Sequence, residues 1–205
     1  MQVDMHFYGT YCIARSAGVP ALIACRIAQA AQYVDDSASS TSQVDNHPDG
    51  GKFATVVTAH TMASFQNRNE DDQRLVWVPF HFLPGNRGET FSQRLICRKN
   101  SEIAQLMMEH HLDYDPDRDF GPELIGIGMH VYADTFAHYG FSGTSSRVNR
   151  VVSSSIKLKQ SDAAVTAFLG KTFGDWMSKW GGLVQNFREI SSEIAEKATG
   201  GLGHS

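Results

Sequence analysis

Residues 128–140, GMHVYADTFAHYG, place His130, Asp134 and His138 at intervals of four. Four helical residues turn the chain by about 400°, so each step drifts by only about 40° and three metal-binding side chains share one face. Imidazole nitrogen and carboxylate oxygen are the usual ligands of catalytic zinc, and they also suit manganese or iron. At about 1.5 Å rise per residue, His130 and His138 stand about 12 Å apart along the axis, too far to share one ion comfortably. That spacing favours two ions with Asp134 between or near both, or one ion with the remaining residue outside its coordination sphere. The flanking Met129, Val131, Tyr132, Ala133, Phe136 and Ala137 make this a mostly apolar helix carrying polar groups inward. Buried titratable groups need partners, and a metal ion or a closed hydrogen-bond network supplies them.

Other residues of the same chemistry lie in equally apolar contexts: His6 in DMHFYGTY, His60 in VVTAHTM and His81 in VPFHFLP. Each alone reads as structural, but together with Asp35 they supply the ligand count of a dinuclear site. The expected metal set is His6, Asp35, His81, His130, Asp134 and His138, with Asp4, His60 and His204 as further candidates. Asp35 and Asp134 are the expected catalytic carboxylates, orienting a metal-activated water. His110 and His111 close a helix and are left out, as is His47 in a polar loop. No Gly-x-Ser-x-Gly elbow, phosphate-binding glycine loop or dinucleotide fingerprint is present, and Ser142 reads as a turn residue after the helix.

The elements that must position these residues are mainly helical. Residues 9–17 and 20–36 read as two helices broken at AGVP, with Pro20 in a first-turn position. On the second, Ala24, Ala28, Ala31 and Asp35 form a small-residue stripe that permits close packing and turns Asp35 inward, whereas Asp36 joins the more polar side with Gln29 and Gln32. Residues 37–52, rich in Ser, Asp, Asn, Pro and Gly, read as a flexible polar surface loop. FATVVTAH (53–60) and LVWVPFHFLPG (75–85) read as short strands or extended segments. Ser101 opens a helix over SEIAQLMMEHH, Pro122 opens one running to about 139, and further amphipathic helices begin at 161 and 186. The expected architecture is a mainly α, single-domain helical bundle over 1–205 with few or no short strands.

Composition sets the outer bounds. With 205 residues, 41% hydrophobic side chains and a formal net charge of −4, the chain has the length for a real core and no basic footprint for stable duplex nucleic-acid binding. Cys12, Cys25 and Cys97 are odd in number and widely spaced, which argues against a disulfide scaffold or a thiolate zinc site. Cys12 and Cys25 lie in apolar helical surroundings, where a free cysteine acts as a small hydrophobe. The N-terminus lacks a secretory signal pattern, and no apolar run reaches the ~18 residues of a membrane span. A cytoplasmic site of synthesis is expected, with any export by a signal-independent secretion system.

The runs DMHFYGTYCIARSAGV, AQYVDD, WVPFHFLPG, GMHVYADTFAHYGFSG and GLGH, in that order, resemble an uncharacterised bacterial family, a domain of unknown function. That resemblance implies a chain continuing past GLGH, so ending at Ser205 reads as truncation or a shortened member. More distantly, the helical layout with His130, Asp134 and His138 is similar to the zinc-dependent phospholipase C and single-strand nuclease superfamily. It departs from that pattern in lacking a proline before His138 and in beginning with Met1 rather than tryptophan. The likeness implies one or more zinc ions and hydrolysis of a small phosphodiester or phospholipid substrate by metal-activated water. Two alternatives stand beside it: a non-catalytic effector or partner-binding helical domain with a buried His/Asp network, and a His-Asp-type phosphohydrolase, whose contiguous His-Asp pair is absent here.

Overall fold

The computed structural model describes residues 3–38, 44–46, 49–54, 56–61, 64–114 and 118–149, together with Ala163, Ala164, Ala167, Gly170, Lys171 and Asp175. The chain divides into two compact units, Met1–Asn149 with Leu202–Ser205, and Arg150–Gly201. In the second unit the six described residues are helical and exposed, within the helix expected from 161. The helix expected from 186 and His204 lie outside the described residues.

The first unit is mainly α. A π-helical turn, Asp4–Gly9, runs directly into α1, Thr10–Ser16, and the Thr10 hydroxyl donates to the Met5 carbonyl at 3.5 Å. Pro20 then caps α2, Ala21–Asp36. Sequence alone did not mark the π turn, a distortion of the kind concentrated at functional sites. The stripe on α2 is buried as expected, with Ala24, Ala28 and Ala31 wholly inaccessible. Asp36 stays on the solvent side and accepts from Gln32 Nε2 at 3.1 Å. Cys12 is solvent-exposed, contrary to its expected apolar setting.

Two segments differ from expectation. Part of the expected loop at 37–52 is a short antiparallel hairpin, β1 (Val44–Asn46) with β2 (Lys52–Ala54). The segment 75–85 is no strand. Asn69 caps α3, Glu70–Leu75, by accepting from the Asp71 amide at 3.0 Å, and a further turn, α4 (Trp77–Phe80), follows at once. Val76, Trp77 and Phe82 are buried there by helix-turn packing, with Trp77 Nε1 donating to Asn67 Oδ1 at 3.0 Å. The segment's ladder contact is a single bridge, Pro84 with Cys97. Local β-propensity lost to tertiary context.

A capping box of Thr90 and Gln93 starts α5, Phe91–Arg94. Ser101 starts α6, Glu102–Asp113, by accepting from the Ala104 amide at 3.2 Å. With Pro122 in its first turn, α7 spans Gly121–Ala137. No helix among the described residues is long and apolar enough to cross a membrane.

The pair α2 and α7 organises the unit. Arg26 bonds Glu123 at 2.9 Å through both Nε and Nη2, Gly126 lies against Ile27 and Ala30, and the ring of His130 reaches the Ala31 carbonyl. Contacts advance together along both helices, so the two run parallel, and everything between them is a long crossover. A Cβ on Gly126 would sit 2.3 Å from the Ile27 carbonyl oxygen, so this approach requires glycine. Parallel packing brings both C-terminal ends, with their partial negative charge, to one place. Asp35 closes α2 there, and Asp134 sits in the last turn of α7.

Candidate metal centre

Four segments meet at those helix ends: the π turn supplies His6, α2 supplies Asp35, the residue after α4 supplies His81, and α7 supplies His130 and Asp134. His6, His81, His130 and Asp134 are wholly buried, among the largest fully buried side chains of the described residues. Asp35 alone of the five reaches solvent, with 22% of its side chain accessible.

Two overlapping triads have ligand atoms within 4.8 Å of one another, His81–His130–Asp134 and His6–Asp35–His130, and either can hold a metal ion. In the first, His130 Nε2 lies 3.3 Å from His81 Nδ1 and 3.3 Å from Asp134 Oδ2, and His81 Nδ1 lies 3.1 Å from the same oxygen. Tetrahedral ligation at about 2.05 Å separates donor atoms by about 3.3 Å, so this triangle already has the size an ion needs. Asp35 Oδ1 stands 3.7 Å from His81 Nδ1 and 3.9 Å from His130 Nε2, in reach of the same centre.

The backbone decides which nitrogens face inward. His130 Nδ1 is 2.8 Å from the Ala31 carbonyl and His81 Nε2 is 2.9 Å from the Thr58 carbonyl. A carbonyl only accepts, so both of those nitrogens carry hydrogen. In the neutral rings the opposite nitrogens, His130 Nε2 and His81 Nδ1, then present lone pairs toward each other and toward the Asp134 carboxylate. Lone pairs and an anion converging at one buried point are satisfied by a cation among them, either a proton on one of the rings or a metal ion. Carbonyl-anchored imidazoles of this kind are the usual support of metal-ligating histidines.

Electrostatics favour a neutral His130. Burial pushes the His130 imidazole below its ordinary value, against the opposing pull of Asp134, and the positive forms of His6 and His81 would push it lower still. His138 is lowered by burial in the same way. Burial alone would raise the Asp134 carboxyl, but the surrounding imidazoles of His130, His6 and His81 outweigh it and hold the group far below the usual carboxylate range. His6 is the least well satisfied of the buried rings. Its ring stacks on His130 with centroids 3.8 Å apart, and Nε2 lies 3.3 Å from Asp134 Oδ1 and 3.7 Å from Asp35 Oδ2. Neither of its nitrogens makes a hydrogen bond, an expensive state for a buried imidazole.

The other expected ligands are placed differently. His138 caps α7 with Nδ1 donating to the His81 carbonyl at 2.6 Å and its ring stacked on Phe82, 3.6 Å from Asp134 Oδ2. It belongs to neither triad and ties α7 to the His81 segment. His60 lies apart, its Nε2 2.7 Å from Asp72 Oδ2 and its ring edge-on to Trp77. Asp4 is exposed and accepts from the Met5 amide at 3.0 Å. The carbonyls of Ala31 and Thr58 escaped sequence reasoning, because a main-chain acceptor leaves no trace in residue type.

The whole chain, residues 1–205, matches the model of a family described as Family of unknown function (DUF6765). No curated protein and no solved structure matches it.

Proposed function

This chain belongs to that family of unknown function, and for it we propose a metal-dependent hydrolase whose ion sits among His6, Asp35, His81, His130 and Asp134. The observation that carries the reading is the pair of ring nitrogens, His130 Nε2 and His81 Nδ1, turned lone-pair-first toward Asp134 by their bonds to Ala31 and Thr58. Zinc fits this nitrogen and oxygen donor set, as do manganese and iron. A bound ion of this kind lowers the pKa of its water toward about 7 and polarises a phosphoryl or carbonyl oxygen. The chain's own residues then divide the work. His81, His130 and the buried Asp134 fix position, while Asp35, at the solvent edge, orients the attacking water and takes up its proton. A phosphodiester or phospholipid substrate is the choice suggested by the likeness of the His130, Asp134 and His138 spacing to zinc-dependent phospholipases and nucleases.

Metal analysis of protein purified without added metal is expected to give about one equivalent or more of transition metal. Less than about half an equivalent, with no uptake of added zinc or manganese, overturns the metal reading. Asp35→Asn is expected to keep at least one ion and lose hydrolysis of a chromogenic phosphodiester.

The burial of the cluster favours one other reading, a closed centre that holds a partner-binding helical domain together without catalysis. Closed coordination is the mark of structural sites. That reading expects full metal content and no hydrolysis in the wild type as well.

A further inference from the structure

Away from the metal cluster, residues from the loop after α4, the segment before α6 and the end of α7 enclose a concavity of about 370 Å³ lined by Arg87, Arg98, Lys99, Asn100, Ser101 and Tyr139. It gathers three cations in a chain whose net charge is −4. Among the described residues none of the three is paired with a carboxylate.

Their proximity is built in. Gly85 donates its amide to the Ile96 carbonyl at 2.9 Å, and the Arg98 stem lies so close over it that a Cβ there would meet Arg98 Cγ at 2.5 Å. This seating directs the Arg98 guanidinium to the Arg87 carbonyl, to which Nη2 donates at 3.4 Å, while Nε is buried without a hydrogen-bond partner. Lys99 Nζ stands 4.8 Å over the Tyr139 ring, which holds the ammonium by its π face and leaves its protons free. Ser101, at the wall, begins the twelve-residue α6, whose N-terminal end adds partial positive charge. Like charges held together repel unless an anion joins them, and two guanidiniums with an ammonium match the oxygens of a phosphate.

We propose that this concavity is an anion site for a phosphate dianion, free or as the terminal group of a phosphomonoester. Oxygens of the ligand accept from Arg87, Arg98 and Lys99. The site shares no residue with the metal cluster, and the proposal does not rest on the proposed hydrolysis.

Calorimetric titration with inorganic phosphate and with glycerol 3-phosphate, at ionic strength fixed with chloride, tests this. Saturable binding is expected, weakened at least about tenfold by Arg87→Gln and by Lys99→Gln and unchanged by Arg15→Gln, an equal loss of charge elsewhere. Tighter binding of glycerol 3-phosphate identifies a phosphomonoester ligand, and equal binding identifies free phosphate. Two outcomes overturn the proposal: no saturable binding beyond the chloride control, or binding that survives Arg87→Gln and Lys99→Gln but is lost when metal is stripped with a chelator, which places the anion at the metal centre.

Discussion

His130 is held at both ends, by the Ala31 carbonyl on one nitrogen and by the Asp134 and His81 side chains around the other. Asp134→Asn reads the state of that inner space. If the rings are neutral, the new amide donates to a lone pair that previously faced an anion. The metal-free variant is then as stable as the wild type or more stable by up to ~1 kcal/mol, while zinc affinity collapses. If protonated imidazoles fill the space instead, removing the carboxylate strands buried charge and destabilises by ~3–5 kcal/mol. Chemical denaturation with and without zinc separates the two, and only the first outcome agrees with a metal centre. Most of this residue set was legible in the sequence, because histidine inside an apolar run is conspicuous at positions 6, 81 and 130. His60 met the same criterion and pairs with Asp72 apart from the cluster, while His138, anchored on a backbone carbonyl as His81 and His130 are, stands at its edge with Nδ1 3.6 Å from Asp134 Oδ2. Residue type reports a capacity to ligate, and only the fold decides which nitrogen is free.

At the scale of elements, the fit of α2 on α7 sets the geometry of the cluster. Gly126→Ala places a methyl against the Ile27 carbonyl and the Ala30 side chain and forces the helices apart. Overpacking of this kind costs about 1–3 kcal/mol, and here it also lengthens the His130–Ala31 bond that fixes the ring. Lower stability together with weaker zinc binding is the expected result in thermal denaturation and competition titration. Lower stability with unchanged zinc affinity would show that the helix spacing does not tune the site. The alanine stripe and its inward Asp35 were readable from the period of α2, and the caps at Ser101 and Pro122 located α6 and α7 to within about two residues. The π turn at Asp4–Gly9 and the helical turn at Trp77–Phe80 were not readable. Both are set by what they pack against: α2 and α7 for His6, and Asn67 for Trp77.

For the molecule as a whole, a core containing neutral imidazoles makes stability depend on pH. Because folding lowers the pKa of His130 and His138, the unfolded chain takes up protons first as pH falls. The stability of the metal-free protein is therefore complete above the ordinary imidazole range and declines below about pH 6.5, by up to ~1.4 kcal/mol per pH unit for each group. Asp134, also lowered, adds a loss of the same sign only once the pH falls through the ordinary carboxylate range. Urea denaturation between pH 7.5 and 5.5 checks this: a flat profile would mean that these imidazoles take up protons equally in the folded and unfolded chains, and stability rising on acidification would mean that the folded state already carries the protons.

The parallel arrangement of α2 and α7 also has a consequence in time. Arg26 and its partner Glu123 are 97 residues apart in the chain. At a synthesis rate of about 5–20 residues per second, α2 leaves the ribosome roughly 5–20 s before α7 exists to cover it. Through that interval α2 has only α1 and the π turn to pack on and lacks its main partner α7, and no nascent chain short of residue 134 possesses the proposed ligand set. In the proposed metal centre, loading would therefore have to follow the synthesis of α7 and its packing on α2.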